Sequence, residues 1–396
     1  MPSQTPDVPA LATAPHLDVE GEAEVISLLK ALVAIESVNP TLDPSGAGEG
    51  PLATYIHTWA TERGLAAHID DGSGRPSVIV ESRPSATDVP TLVLCGHLDT
   101  VSLAGVVDPL VPRIDGDRLY GRGAYDMKAG LAAALVACRR AHADDLPVRV
   151  VVTAVADEEH ASLGAQRLVR NLHADAAIVC EPTEMAVGIA HKGFVWTDIE
   201  VRGVAAHGSR PELGVDAIVK TGPVLVALER LNESLRSRVH PLLGPGSVHA
   251  SVIAGGVEAS TIPDRCVLTI ERRTLPDETV EAVEAELEAL LQSSRDADPQ
   301  LDVTARTVLH RPPMQTDPDE HLVAVVGDAA RAVLGVEPEI VGMSYWADSA
   351  FISESGIPTV LLGPSGEGAH AEVEWVSIAD TIACAEVLSA AAKALA

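Results

Sequence analysis

Several things that mark large functional classes are missing from this 396-residue chain. It has no run of Lys or Arg, and its formal net charge is −29. Such a chain repels phosphate backbones, so no nucleic-acid partner is expected. The acidity itself reads as a solubility feature. No apolar run approaches the ~18 residues that a membrane helix needs, so no membrane partner is expected either. The opening segment, to about His16, has neither a basic region nor a long apolar stretch. It does not read as a secretion signal; residues 1–18 read as a flexible N-terminal extension. Cysteine is sparse, and the five thiols (Cys95, Cys138, Cys180, Cys266 and Cys384) are far apart with no C-x-x-C pair. They read as buried free thiols of a reducing compartment, which points to a soluble, cytoplasmic protein.

What is present is enough apolar sequence, 46% of the chain, for a large core, and the length predicts two domains. Val25, Ile26, Leu29, Leu32 and Val33 recur at helical spacing, and a second helical pattern runs from about Leu52 to Arg63. Short unbroken apolar runs follow at Ser77–Val80, Leu92–Cys95, Val148–Val155 and Ala176–Cys180. Unbroken rather than alternating runs mark strands buried on both faces, as in a mixed, mostly parallel sheet flanked by helices. Helices fit Met127–Arg140 and Leu163–Leu172. From Lys192 the order becomes strand, helix, strand, strand, helix, strand, which is that of a ferredoxin-like α+β unit. The expectation is an α/β domain over residues 19–191 and 310–396, interrupted by an inserted domain over residues 192–309.

The chemistry-bearing residues occupy one topological place. In open α/β sheets ligands gather where strands end at their carboxyl side. Leu92–Cys95 runs into His97 and Asp99, Val148–Val155 into Asp157-Glu158-Glu159, Ala176–Cys180 into Glu181, and Thr359–Leu362, through a Gly-rich turn, into His370. Asp126 sits just before the Met127 helix. Each element alone has an ordinary explanation: an H-x-D in a loop, two adjacent Glu on a solvated face. The joint pattern does not. Two imidazoles and three carboxylates can hold two zinc-type ions if one carboxylate bridges, and ions about 3.5–4 Å apart can activate a water and clamp an oxyanion. Of the adjacent pair, Glu159 is assigned to metal and Glu158 to proton transfer. Asp99, two residues beyond His97, is expected to accept a hydrogen bond from the ring nitrogen of His97 that faces away from the metal. Gly121-Arg122-Gly123 lacks the third glycine of a dinucleotide fingerprint, and Gly363-Pro364-Ser365-Gly366 is no nucleophile elbow.

Leu94-Cys95-Gly96-His97-Leu98-Asp99-Thr100-Val101, Gly121-Arg122-Gly123-Ala124-Tyr125-Asp126-Met127-Lys128-Ala129-Gly130, Asp157-Glu158-Glu159, Cys180-Glu181-Pro182-Thr183 and Gly368-Ala369-His370 resemble, in order, the motifs of a metallopeptidase and deacylase family. It includes acetylornithine deacetylase, succinyl-diaminopimelate desuccinylase, aminoacylases and glutamate carboxypeptidase. The resemblance implies a zinc-exopeptidase-like catalytic domain with two divalent metals, zinc first and cobalt or manganese as alternatives. His97, Asp126 and Glu181 would hold one metal; Asp126, Glu159 and His370 would hold the other. Glu158 would take a proton from a metal-bridging water and pass it to the leaving nitrogen. The resemblance also implies a cis bond at Asp126-Met127 and a homodimer through the inserted dimerisation or lid domain. His207, in Gly203–Pro211, would support the tetrahedral oxyanion. An arginine of Glu271–Pro276, Arg273 in preference to Arg272, would bind a substrate carboxylate. The implied activity is removal of an N-acyl group from an amino acid, as in acetylornithine deacetylase. The alternatives are an exopeptidase acting on short peptides and a catalytically inactive metal-binding homologue, which the intact ligand set opposes. Glu181, as a Glu rather than an Asp, sides with the deacylases and carboxypeptidases, and Ser344–Ala350 departs from the desuccinylase pattern.

Overall fold

The computed structural model describes residues 19–396 apart from Ser85 and Thr87. The expected N-terminal extension, residues 1–18, lies outside the described residues. The chain forms two compact units. One comprises the chain up to Ile189 with Thr316–Val341 and Phe351–Ala396; the other comprises Ala190–Gln315 with Gly342–Ala350.

The first unit is built on a mixed sheet, in the order Ala66–Asp70, Ser77–Glu81, Arg149–Val155, Thr91–His97, Ala176–Val179, Thr359–Leu361 and Val187–His191. The four strands from Arg149–Val155 to Thr359–Leu361 run parallel, and their neighbours on both sides run antiparallel. Thr91–His97 is buried at every position. This is why its sequence shows no alternation: both faces meet apolar partners. Ala66–Asp70, in contrast, is an edge strand with largely open side chains, and no apolar pattern announced it. Helix Ala129–Ala143 packs against Arg149–Val155 and Thr91–His97 and against Ile378–Leu395, which in turn meets His321–Leu334 and Val19–Ala34. A separate four-stranded sheet joins Gly366–Glu367, Trp375–Ser377, Arg118–Tyr120 and Arg113–Asp115. It brings the chain before Asp126 next to the hairpin that carries His370.

Gly130 shows how tightly these layers meet. A Cβ at this position would overlap the main-chain carbonyl oxygen of Cys180. Only glycine lets the Ala129–Ala143 helix lie against the strand end that leads to Glu181.

The second unit is a four-stranded antiparallel sheet in the order Ser247–Gly255, Arg265–Thr274, Gly193–Arg202 and Asp302–Arg311. Helices Ala217–Leu235 and Val280–Ala297 complete the expected ferredoxin-like order. Both begin with a side-chain cap: Asp216 accepts from Val219 N–H and Thr279 from Ala282 N–H, satisfying main-chain donors left over at a helix start. Val224, Leu228, Leu287 and Leu291 of the helices meet Ile199, Val201, Leu268, Ile270 and Val303 of the sheet in one buried cluster.

Gly130→Ala is expected to lower the unfolding free energy by about 1–3 kcal/mol, because the obstacle is backbone and cannot swing aside. Urea unfolding of the variant against the parent checks this; equal midpoints would mean that the helix shifts without cost.

Candidate metal centre

Parallel strands end on the same edge of a sheet, and three of the chemistry-bearing segments leave the sheet there. His97 closes its strand, Asp157 follows Val155 by two residues, and Glu181 follows Val179 by two. Ladder-type bonds continue past the strand ends: Leu98 N–H donates to Val155 O and Cys180 N–H to Cys95 O, both at 2.8 Å. These fix the spacing of the loops. Asp126 and His370 arrive from the small four-stranded sheet. The Asp126–Met127 peptide is cis.

The five residues expected to bind metal converge. His97 Nε2 lies 3.1 Å from Asp126 Oδ1 and 3.7 Å from Glu181 Oε1. His370 Nε2 lies 3.3 Å from Asp126 Oδ2 and 3.0 Å from Glu159 Oε2. Asp126 thus turns one oxygen to each imidazole. Ligand atoms ~2.0–2.2 Å from a tetrahedral zinc stand ~3.3–3.6 Å from one another, and the separations here are of that size. Tautomers sharpen the point. His97 Nδ1 lies 2.9 Å from the main-chain oxygen of Asp99. That oxygen only accepts, so Nδ1 carries the hydrogen. A neutral His97 then presents the lone pair of Nε2 to two carboxylates, and a proton or a metal ion must lie between.

The charges agree. Burial alone would lower the His97 pKa, but the carboxylates of Glu181, Asp126 and Glu158 outweigh it and hold the ring well above its ordinary range. Hydrogen bonds to Asp126 and Glu159 push His370 up to about 10. Burial raises Asp126, yet its bonds with His370 and His97 prevail and hold it below the usual carboxylate range. Glu159 is raised by burial and then by the charge of Asp126. Carboxylates that accept hydrogen bonds from imidazole form a set that fits divalent cations.

Asp99 departs from its expected part. Its carboxylate is 3.7 Å from His97 Nδ1, and the main-chain oxygen makes that bond instead. The strand ends at His97, so the alternation of a pleated strand no longer applies two residues later. The carboxylate accepts from Glu158 N–H at 3.1 Å and Glu159 N–H at 3.2 Å. It shapes the turn that carries the two glutamates.

Glu374 was not anticipated. It is 3% exposed and accepts from the main-chain N–H groups of Gly123, Tyr125 and Asp126 at 2.9, 3.0 and 3.1 Å, and from Arg122 Nη1 at 2.9 Å. One carboxylate from the His370 hairpin therefore fixes the loop of Asp126. No spacing rule signals such a residue, since its partners are backbone groups and an arginine 252 residues away.

His207 and Arg273 belong to the second unit. His207 is exposed. Its Nδ1 accepts from Ser209 N–H at 3.2 Å and lies 2.7 Å from the Ser209 hydroxyl, so the hydrogen of the neutral ring is on Nε2. Burial alternates along Arg265–Thr274. Arg272 points into the unit, where it binds Glu278 and the Arg273 carbonyl. Arg273 faces the other way, 2.7 Å from Glu271 Oε1 and 5.1 Å over the Phe194 ring. Trp346 donates to Pro312 O at 2.9 Å and meets Phe194 edge-on.

Comparison with known proteins identifies the family and the fold. The sequence model of peptidase family M20/M25/M40 matches residues 93–394. An acetylornithine deacetylase of Myxococcus xanthus is 32% identical over 355 residues, 86% of this chain and 91% of that protein. Among solved structures, a tripeptidase of Staphylococcus aureus superposes with a TM-score of 0.76 at 22% identity, over 94% of this chain and 98% of the other. A dinuclear metal-binding M20 peptidase of Bacillus subtilis gives 0.75 at 16% identity, over 95% and 99%. At these identities the two structures speak for the fold.

Glu374→Ala would leave Arg122 Nη1 and three backbone N–H groups buried without their acceptor. It is expected to cost about 3–5 kcal/mol in urea unfolding, with Glu374→Gln losing less. A near-neutral Glu374→Ala would mean that the Asp126 loop is held by other contacts.

Proposed function

Because the chain belongs to peptidase family M20/M25/M40, we propose that it is a two-metal amidohydrolase that removes an N-acyl group from an amino acid. The observation that carries this reading is the Asp126 carboxylate with each oxygen facing a different imidazole. His97, Asp126 and Glu181 would hold one divalent ion; Asp126, Glu159 and His370 would hold the other. Zinc is the first choice, because imidazole nitrogen and carboxylate oxygen suit it, with cobalt and manganese as alternatives. When bound, such ions polarise an amide carbonyl and make a water nucleophilic near neutral pH.

The chain's own residues do the rest. Glu158, on the turn that Asp99 shapes, moves a proton from the attacking water to the leaving nitrogen. His207 offers its Nε2–H to the oxygen on which charge develops. Arg273 takes the free carboxylate of the amino acid, its fork suiting two oxygens at once. The relative named above as a deacetylase favours an acyl substrate. An exopeptidase would use the same groups and differ in what fills the acyl side.

The second unit also supports a homodimer. Ser247–Gly255 is an edge strand whose Val252 and Ile253 are exposed, and helix Ala217–Leu235 exposes Ile218, Val219, Leu225 and Val226. An unpaired edge beside an apolar face is a surface that association covers. All five thiols are buried and free, and among the described residues no helix is long and apolar enough to cross a membrane. Both suit a cytoplasmic protein.

Chelator-treated protein is expected to release no amine from N-acetylornithine, other N-acetyl amino acids, N-succinyl-diaminopimelate or dipeptides, and to regain cleavage of acyl compounds with zinc or cobalt. Cleavage of dipeptides alone would move it to the exopeptidases. Glu158→Gln is expected to keep two metals per chain and to lose about 10²–10⁴ in kcat; a full rate would refute the proton-transfer role. In sedimentation velocity the parent is expected to run as a dimer and the double variant Val226→Asp, Ile253→Asp as a monomer. Equal profiles would place any dimer contact elsewhere.

A further inference from the structure

Beside the ligand cluster lies a network of acids that the metals would not touch. Asp99, Asp157 and Glu49 are each 1% exposed. Arg75 pairs with Glu49, through Nε at 2.8 Å and through Nη2, and with Asp157 Oδ1 through Nη1 at 3.1 Å. Glu49 Oε1 also accepts from Asp157 N–H at 3.1 Å. Asn39, which is fully buried, stands between the other two acids. Its Nδ2 donates to Asp99 Oδ2 at 2.8 Å and to Asp157 Oδ1 at 3.0 Å. Its Oδ1 faces Thr41 N–H at 3.0 Å and Arg75 Nη1 at 3.4 Å. The orientation of the amide is fixed by chemistry: the nitrogen meets two groups that accept, the oxygen two that donate. Its main chain is tied as well, donating to Thr100 O at 2.9 Å.

Two buried carboxylates repel at close range unless a donor lies between them, and a neutral amide with two hydrogens is that donor. What it joins is significant. Asp99 holds the N–H groups of Glu158 and Glu159. Asp157 opens the same turn at φ 69, a left-handed conformation that surrounding contacts must enforce in a residue other than glycine.

We propose that Asn39, oriented by Arg75, is a positioning residue for the Asp157–Glu159 turn, clamping the Asp99 and Asp157 carboxylates together and so aiming Glu158 and Glu159. This rests on the reading that Glu159 binds metal and Glu158 moves the proton. Asn39 acts through the turn and touches neither metal nor substrate.

The test compares Asn39→Asp, Asn39→Ala and Arg75→Lys with the parent, in the full chain. Asn39→Asp keeps the shape and the acceptor but sets a third carboxylate against two others. Zinc affinity of the chelator-treated protein is measured by competition with a chromophoric chelator, and kcat and KM are measured on an acyl compound that the parent cleaves. Both Asn39 variants are expected to bind zinc about 10–100-fold more weakly and to lose kcat by a similar factor, with KM within about twofold. Arg75→Lys keeps the charge and loses the fork, so it falls short of the parent in the same direction. A lowered melting temperature with parental zinc affinity and kcat would overturn the proposal and leave Asn39 a stability residue. If Asn39→Ala fails to fold, the isosteric Asn39→Asp and Arg75→Lys decide. Zinc competition needs no substrate: a parent that binds zinc and cleaves nothing removes the hydrolase reading, and the position of Asn39 is still judged from the affinities.

Discussion

A carboxylate that must face two imidazoles at once tolerates little movement, and the first unit is arranged around that demand. Asp126 meets His97 at 3.1 Å through one oxygen and His370 at 3.3 Å through the other. His97 comes on a central strand of the large sheet, His370 on a hairpin of the small one. Neither sheet alone could hold both. The junction is made by Glu374, which leaves the His370 hairpin to collect three main-chain N–H groups of the Asp126 loop. Gly130 then allows the following helix to press against the strand end before Glu181. The ligand positions are thus fixed by backbone contacts, which relax less than side chains do.

This geometry concentrates negative charge. Asp126, Glu159 and Glu181 surround two imidazoles, and Asp99, Asp157 and Glu49 lie behind them. Such a group is costly to bury unless cations compensate it. Arg75 and Arg122 do so at the periphery, each fixed by a carboxylate that also binds backbone. At the centre the surrounding carboxylates raise both imidazoles above their ordinary range, His370 to about 10. A divalent ion would take the same place, since metal ligation requires neutral imidazole. The overall charge of −29 has little part in this, because most of it is screened and distant.

The large sheet and the cluster of candidate ligands were legible because both leave local marks. A strand buried on both faces cannot hide its unbroken apolar run, and His or Glu directly after such a run stands at the binding edge of a parallel sheet. Asp99 was placed on the right loop but given the wrong bond, since the alternation of a strand was carried past its last residue. Glu374, Asn39 and Arg75 left no mark. Their partners are main-chain groups and side chains far away in the chain, over separations of up to 252 residues, and an isolated Asn or Glu in a loop looks like any other. The edge strand Ala66–Asp70 was missed for a related reason: with its side chains largely open, it needs no apolar pattern.

Two histidines illustrate how little sequence says about chemistry until hydrogen bonds are known. His97 and His207 are the same residue with opposite assignments. The Asp99 carbonyl takes the Nδ1 hydrogen of His97, so Nε2 offers a lone pair and suits a cation. The Ser209 N–H occupies the Nδ1 lone pair of His207, so Nε2 keeps its hydrogen and suits an anion. The same imidazole thus serves opposite charges, according to which nitrogen its neighbours leave open. In each case the choice is made two residues away, by a main-chain atom, and it is made before any ligand arrives.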